Sequence, residues 1–398
     1  MKKSHLFLFI ICSLLLSACS LPFMSQGNDS ATITGLKAQS KKHSLPAKKQ
    51  FFALDTLVTI TLYQADPACD LEEALSGAEA LCKQYENLFS RTIEGSDIWG
   101  INHADGSPVK VSEETLYLIK NSIVFSEATD GKFDITIAPV IDLWDETESL
   151  PDKTALKKAL SVVSYKNIEI DDESSTVTLK YESPNSNVPN SLLNGISSES
   201  PVQTDADPES LSQTDSKTPA PEIDLGAVAK GYIADKLKEY LKEQGVTSAL
   251  LDLGGNILAL GEKEKNAPFT VAVKMPFTDT GSFYTTGSLN KDNIAQALSV
   301  TDKSVVTSGI YERYREIDGK LYHHILDPGT GYPVDNSLAS VTIISEDSLS
   351  GDLLSTSCLL IGKEAAAELV ESLPGIEAVY IEKDGTISYS SQIGQYLL

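Results

Sequence analysis

The chain has 398 residues, a formal net charge of −24 and the composition of a soluble globular protein. That acid excess argues against a nucleic-acid binder, which needs a basic face to displace counterions from phosphates, and against electrostatic attachment to an anionic membrane. The length allows one large domain or two smaller ones.

The N-terminus offers another route to a membrane. Lys2 and Lys3 precede an apolar run from Leu6 to Leu16, too short to span a bilayer but suited to a signal peptide over residues 1–18. Leu16 to Cys19 reads LSAC and looks like a bacterial lipobox, in which Cys19 carries the lipid. A plain secretory signal cut near Ala18 is the alternative. Residues 19–50 are then a polar tether. Of the five cysteines, Cys12 lies in the removed segment, and Cys69, Cys82 and Cys358 show neither a disulfide framework nor zinc spacing.

In chain order, a strand is expected over Phe51 to Tyr63 from the alternation of Val58, Ile60 and Leu62. A helix follows, with Asp70 as N-cap and Leu71, Leu75, Ala78, Cys82, Tyr85 and Phe89 on its apolar face. FSRTIEGSDIWGIN reads as loop. A second helix begins near Ser112 and stops by Gly131. A short helix and two strand-like pieces fit between Leu156 and Tyr181. Residues 183–221 are rich in Ser, Asn, Pro and Asp, too poor in apolar side chains to offset their ordering entropy, and read as a disordered insertion.

Beyond the insertion the pattern tightens. A strand into Asp224, a helix from about Ala227 to Gln244 and a strand through SALLDLGGNILAL suggest a βαβ-like unit. Further strands are expected at Phe269 to Val273, Ser304 to Val306, Leu321 to Ile325 and Ala339 to Ile344. Two helices, Asp352 to Ile361 and Lys363 to Ser372, precede closing strands near Val379 and Ile387. Strands and helices mix without strict alternation, so the fold class is α+β.

Four glycine-containing segments, DLGAVAKG, DLGGN, VTSGIYERY and HHILDPGTGYP, lie where backbone N–H groups could approach a phosphate, with Lys230 and Arg313 to supply positive charge. Ordinary turns would account for some of them. In SGDLLSTSCLLIG, a helix would put Asp352 and Thr356 on one face, a carboxylate and a hydroxyl able to reach one hard cation such as Mg²⁺; a simple N-terminal Asp acting on the helix dipole is the alternative. His323 and His324 point to opposite faces if their segment is a strand, so at most one faces a given site; His324, just before the DP turn, is the better candidate for a proton carrier or ligand contact, and a surface or core histidine is the alternative. Signatures of a serine hydrolase, a zinc protease and a P-loop ATPase are missing.

Taken in order, FFALDT, GKFDITIAPVIDLW, EIDLGAVAKGYIAD, ALLDLGGNILALG, VTSGIYERY, HHILDPGTGYPV and SGDLLSTSCLLIG resemble the ApbE family of FAD:protein FMN transferases. The likeness runs from about Phe51 to the C-terminus apart from the insertion. It implies an α+β domain over 51–398, with mixed sheet and helices and the FAD site in a cleft between two subdomains. The implied reaction joins FMN from FAD, through a phosphodiester, to a Thr or Ser hydroxyl of an exported acceptor protein, with Mg²⁺ as cofactor and AMP released.

By the same resemblance Asp224 and Lys230 contact FAD, the Ala227 carbonyl binds Mg²⁺, and Asp352 and Thr356 are its side-chain ligands. Flavin contacts fall on Leu54, on Lys132, Phe133 and Asp134, and on the backbone near Leu326, while Ser308 and Gly309 line the cleft. The base is unread, with His324 ahead of Asp327 because a neutral imidazole is available near pH 7. Where many members read Met-Gly-Thr, this chain has Leu54, Asp55 and Thr56. An FAD pyrophosphatase and a flavin-binding lipoprotein without catalysis are the competing readings, and a location on the outer side of the cell membrane follows from the anchor.

Overall fold

The computed structural model describes residues 44–180, 219–276 and 293–398. The signal peptide, the lipid site at Cys19 and all but the last residues of the 183–221 insertion lie outside them. The first alternating segment forms a hairpin instead of one strand: β1 (Ala47–Ala53) and β2 (Thr56–Ala65) pair antiparallel, with Ala53 opposite Thr56. Leu54 and Asp55 make the two-residue loop at φ values of 56° and 55°, the left-handed conformation that matches such a turn to the twist of its strands. β1 thus starts inside the segment read as tether.

Asp70 caps α1 (Leu71–Phe89) by accepting from the N–H groups of Glu72 and Glu73, and Leu75, Ala78, Cys82, Tyr85 and Phe89 are buried along one face. FSRTIEGSDIWGIN is only partly loop, since Ser96 caps a short helix, α2 (Asp97–Asn102). Then come α3 (Glu113–Ala128), α4 (Ala138–Asp145) and α5 (Lys153–Leu160). A small sheet joins β3 (Val109–Lys110), β4 (Ile168–Asp171) and β5 (Thr176–Leu179).

Two expectations fail after the insertion. The segment entering Asp224 makes an isolated bridge between Glu222 and Ile137 in place of a strand. Helix α6 (Ala229–Glu243) forms, but SALLDLGGNILAL folds back on itself as β6 (Val246–Leu253) and β7 (Asn256–Leu260), antiparallel, so there is no βαβ unit. Gly254 and Gly255 turn the chain at φ 67° and 93°. A Cβ on Gly254 would lie 2.2 Å from the Thr56 hydroxyl, so this turn and the first hairpin can meet only because the residue is glycine.

The remaining elements are β8 (Phe269–Lys274), β9 (Ile294–Val300), β10 (Ser304–Gly309), β11 (Tyr314–Ile317), β12 (Lys320–His323), β13 (Leu338–Ser345), α7 (Ser348–Ile361), α8 (Lys363–Glu371), β14 (Glu377–Glu382) and β15 (Ile387–Tyr389). An eight-stranded sheet runs β1-β2-β6-β7-β10-β13-β14-β15, antiparallel throughout. Side-chain alternation splits its residues between two cores. Val341, Ile343, Ala378 and Tyr380 join the core shared with the helices, whereas Ile344, Val379 and Ile381 pack with Phe269, Val271 and Leu298 of the β8–β9 ribbon. A third, smaller core sets Val140, Trp144, Leu156 and Leu326 together beneath the β11–β12 hairpin. The α+β class holds.

Candidate active site

Helix α7 crosses the start of α6, and the crossing is as close as backbones allow. A Cβ on Gly231 would fall 2.4 Å from the Ser348 carbonyl oxygen. Two carboxylates fix the N-terminus of α7: Asp347 accepts from the Ser350 N–H and hydroxyl, and Asp235 of α6 accepts from the N–H groups of Ser348 and Leu349 at 2.7 and 2.9 Å. Burial, with the Asp347 charge beside it, holds the Asp235 carboxyl well above the ordinary range.

One turn further on, Asp352 is 4% exposed. Its Oδ2 accepts from the Gly231 N–H at 2.5 Å and its Oδ1 from the Asn256 amide at 3.1 Å. Asn256 in turn accepts from the Ser348 hydroxyl at 2.6 Å, and Ser304 donates to Ser348 at 2.9 Å. Burial pushes the Asp352 carboxyl up, and the Lys230 charge opposes that shift. The sequence reading overlooked Asn256; its position next to two glycines marked a turn, whereas its task depends on a partner 96 residues away.

The expected pairing of Asp352 with Thr356 on one helix is present, and Thr356 lies within 3.0 Å of the Ser308 hydroxyl, itself 2.9 Å from that of Ser355. Ala227 stands in the turn before α6. The Gly231 N–H, which would bond the Ala227 carbonyl one turn back in a continuing helix, is spent on Asp352, between the i to i−4 bonds of Ala229 to Leu225 and Tyr232 to Val228. The Ala227 carbonyl is therefore left outside the ladder. Carboxylate, hydroxyl and carbonyl oxygens make a hard donor set that fits Mg²⁺, which takes few protein ligands. Among the described residues no group of three or more His, Cys, Asp or Glu could hold a metal, so a site of that richer kind is not an alternative there.

Lys230 also reaches other charges. Its field, with that of Arg313, disfavours a proton on His324, although crowding by the surrounding chain is the larger cause of that histidine's lowered pKa. The His324 ring places Nδ1 3.0 Å from the Arg313 carbonyl. A carbonyl only accepts, so Nδ1 carries the hydrogen and Nε2 the free lone pair. Burial similarly raises the carboxyl of Glu312, and Lys274 and Lys230 counteract it.

Several candidates have structural work instead. Asp327, the second candidate base, accepts from the Gly329 N–H through Oδ1 and pairs with Lys132 at 2.8 Å through Oδ2, so it shapes the DPGTG turn. Asp134 accepts from the Thr136 N–H and hydroxyl and from the Tyr165 N–H, while Phe133 is buried in the main core. Neither side chain faces a ligand space; only their backbone could. Leu326 is buried in the third core. Leu54 donates its N–H to Glu86 at 2.6 Å. Gly309 closes β10 against the ring of Tyr311. Asp224 accepts from the Gly226 N–H at 2.6 Å and pairs with Arg91 at 2.9 Å, a partner that the sequence reading had left in a loop.

The model of the ApbE family matches residues 54–380. An FAD:protein FMN transferase of Klebsiella pneumoniae is 33% identical over 338 residues, covering 84% of this chain and 88% of its own. One from Treponema pallidum is 32% identical over 344 residues, 85% of each chain. Among solved structures, an ApbE protein of Thermotoga maritima superimposes with a TM-score of 0.69 at 29% identity, over 88% of this chain and 99% of that one. The flavin transferase ApbE of Vibrio cholerae, at 22% identity, shares the fold with a TM-score of 0.68 over 88% of this chain and 99% of its own.

Proposed function

This chain belongs to the ApbE family, and we propose that it works as a Mg²⁺-dependent FAD:protein FMN transferase acting on a Thr or Ser hydroxyl of an exported protein. The observation that supports the metal dependence is the buried Asp352, held by Gly231 and Asn256 one turn before Thr356 on the same helix. Asp352, Thr356 and Ala227 would hold Mg²⁺, which when bound supplies charge neutralisation at the pyrophosphate.

In this reading Lys230 and Asp224 contact FAD, and the Leu54 turn, Lys132, Ser308, Gly309 and the backbone around Phe133, Asp134 and Leu326 border it. The acceptor hydroxyl forms a bond to the phosphorus nearer the flavin, the bond from that phosphorus to the bridging oxygen breaks, and AMP leaves. His324 takes the hydroxyl proton on Nε2, because Nδ1–H is committed to the Arg313 carbonyl. Asp327 orders the turn that follows the His324 segment and keeps Lys132 in place.

The test is to mix the chain from Ser44 onward with FAD, Mg²⁺ and an FMN-acceptor domain and to read the acceptor's intact mass. A gain of one FMN minus water, lost with chelator, supports the transferase. Release of FMN and AMP without a mass gain would replace it with a pyrophosphatase. We further propose that Cys19 is lipidated and tethers the enzyme outside the cell membrane, on the strength of the LSAC sequence. Cys19→Ala should then move the protein from the membrane to the soluble fraction.

A further inference from the structure

We propose that Arg91 is a positioning residue for FAD: it aims the Asp224 carboxylate at a neutral O–H or N–H donor of the dinucleotide, and not at its phosphates. The inference rests on the transferase reading for the identity of the ligand. Arg91 follows the cap of α1, and its guanidinium, 19% exposed, gathers three acidic side chains. Nε lies 2.9 Å from Asp224 Oδ2, one terminal nitrogen 2.6 Å from Asp142 Oδ1, and the other 3.9 Å from Glu222 Oε2. A planar fork with several fixed donors can hold such a set, which a lysine ammonium on its flexible stem cannot do with the same geometry.

The backbone around Asp224 is held separately. Asn102, at the end of α2, donates to the Ile223 carbonyl at 2.9 Å and accepts from the Ile223 N–H at 2.8 Å. The Asp224 N–H donates to the Ile135 carbonyl at 2.8 Å. Arg91 and the Gly226 N–H therefore act on the side chain, one on each carboxylate oxygen, while Asn102 and Ile135 hold the main chain. Removing Arg91 frees the carboxylate without unthreading the segment that bears it.

Charge decides what Asp224 meets. An ionised carboxylate can only accept hydrogen bonds, as can the oxygens of a pyrophosphate, so Asp224 offers a phosphate no bond and meets it with like charge. A carboxylate fixed there serves as an acceptor for hydroxyl or ring N–H groups, leaving the phosphates to Lys230 and the metal site.

The test measures FAD affinity by quenching of flavin fluorescence, alongside steady-state transfer, in wild type, Arg91→Ala, Arg91→Lys, Asp224→Asn and the Arg91→Ala, Asp224→Asn double variant. Arg91→Ala should weaken FAD binding and raise KM for FAD about tenfold, with kcat at saturating FAD within about twofold of wild type. Arg91→Lys should recover part of the affinity, and the double variant should bind no worse than Asp224→Asn alone. Unchanged affinity in Arg91→Ala, a fall in kcat with KM intact, or losses that add fully in the double variant would overturn the assignment. If Arg91→Ala does not fold, the KM-against-kcat split in Arg91→Lys decides. A wild type that binds FAD yet transfers no FMN would sink the transferase reading, while the affinities would still judge Arg91.

Discussion

A carboxylate as enclosed as Asp352 is costly unless something positive or hydrogen-bonding meets it, and here two donors and the field of Lys230 do part of that work. Asp352→Asn keeps the side-chain volume and one acceptor for Gly231 but removes the charge a hard cation needs. Turnover should fall by at least on the order of a hundredfold, about 3 kcal/mol of transition-state stabilisation. Wild-type turnover with unchanged Mg²⁺ dependence would refute the ligand assignment. The spacing of Asp352 and Thr356 was legible because one helix sets it. Asn256 and Arg91 were not, because each acts on a residue brought near only by the fold. An aspartate in the first hairpin turn also becomes intelligible at this scale: Asp55 occupies a left-handed turn position, where Gly is the freest residue and Asp among the better tolerated side chains.

Elements meet at Gly231, where α6 touches α7 through backbone alone. Gly231→Ala should force the helices apart, lower stability by about 1–3 kcal/mol and weaken Mg²⁺ binding, since the Gly231 N–H would withdraw from Asp352. Urea unfolding and a Mg²⁺ thermal-shift titration check both effects; unchanged values would mean the crossing is slack. The segment from His323 to Val334 carries a second prediction. His323 is buried, its Nε2–H donates to the Val334 carbonyl, and burial pulls its pKa from 6.5 down to about 4. The unfolded chain therefore binds the proton more readily, and stability is lost as pH falls from 6.5 towards 4, by roughly 3 kcal/mol. His323→Gln should remove that part of the acid limb in unfolding curves taken across this range; an unaltered limb would place its origin elsewhere. Two long helices, α1 and α3, and their caps were readable from periodicity, whereas α7, expected from Asp352, starts at Ser348 under the cap of Asp347. The two hairpins were not readable: Leu is an unusual left-handed turn residue, and SALLDLGGNILAL was read as one strand straight across the turn signal of Gly254 and Gly255.

At the scale of the whole molecule, composition and element order sufficed for the α+β class, but not for the division of one sheet between two cores. That division depends on which strands pair, and the pairing is long-range. The N-terminal edge shows the practical consequence. Ala47 to Gln50 pair with Leu62 to Thr59, so a chain starting at Phe51 loses half of an edge strand. It should unfold at a lower temperature than one starting at Ser44, and FAD should bind it more weakly because the Leu54 turn closes that hairpin. Equal melting temperatures would show that β1 is dispensable.

Gly231 and Asn256 stand 121 and 96 residues from the Asp352 they hold. No fragment lacking α6 or α7, and no partly folded intermediate lacking their crossing, contains the assembled centre. Closing contacts of that span is slow compared with forming the helices themselves, so competence to consume a dinucleotide is a late event in maturation. A chain that has not yet made that crossing carries all these residues and none of the chemistry, which makes acquisition of FAD-dependent fluorescence quenching a clock for the last step of folding.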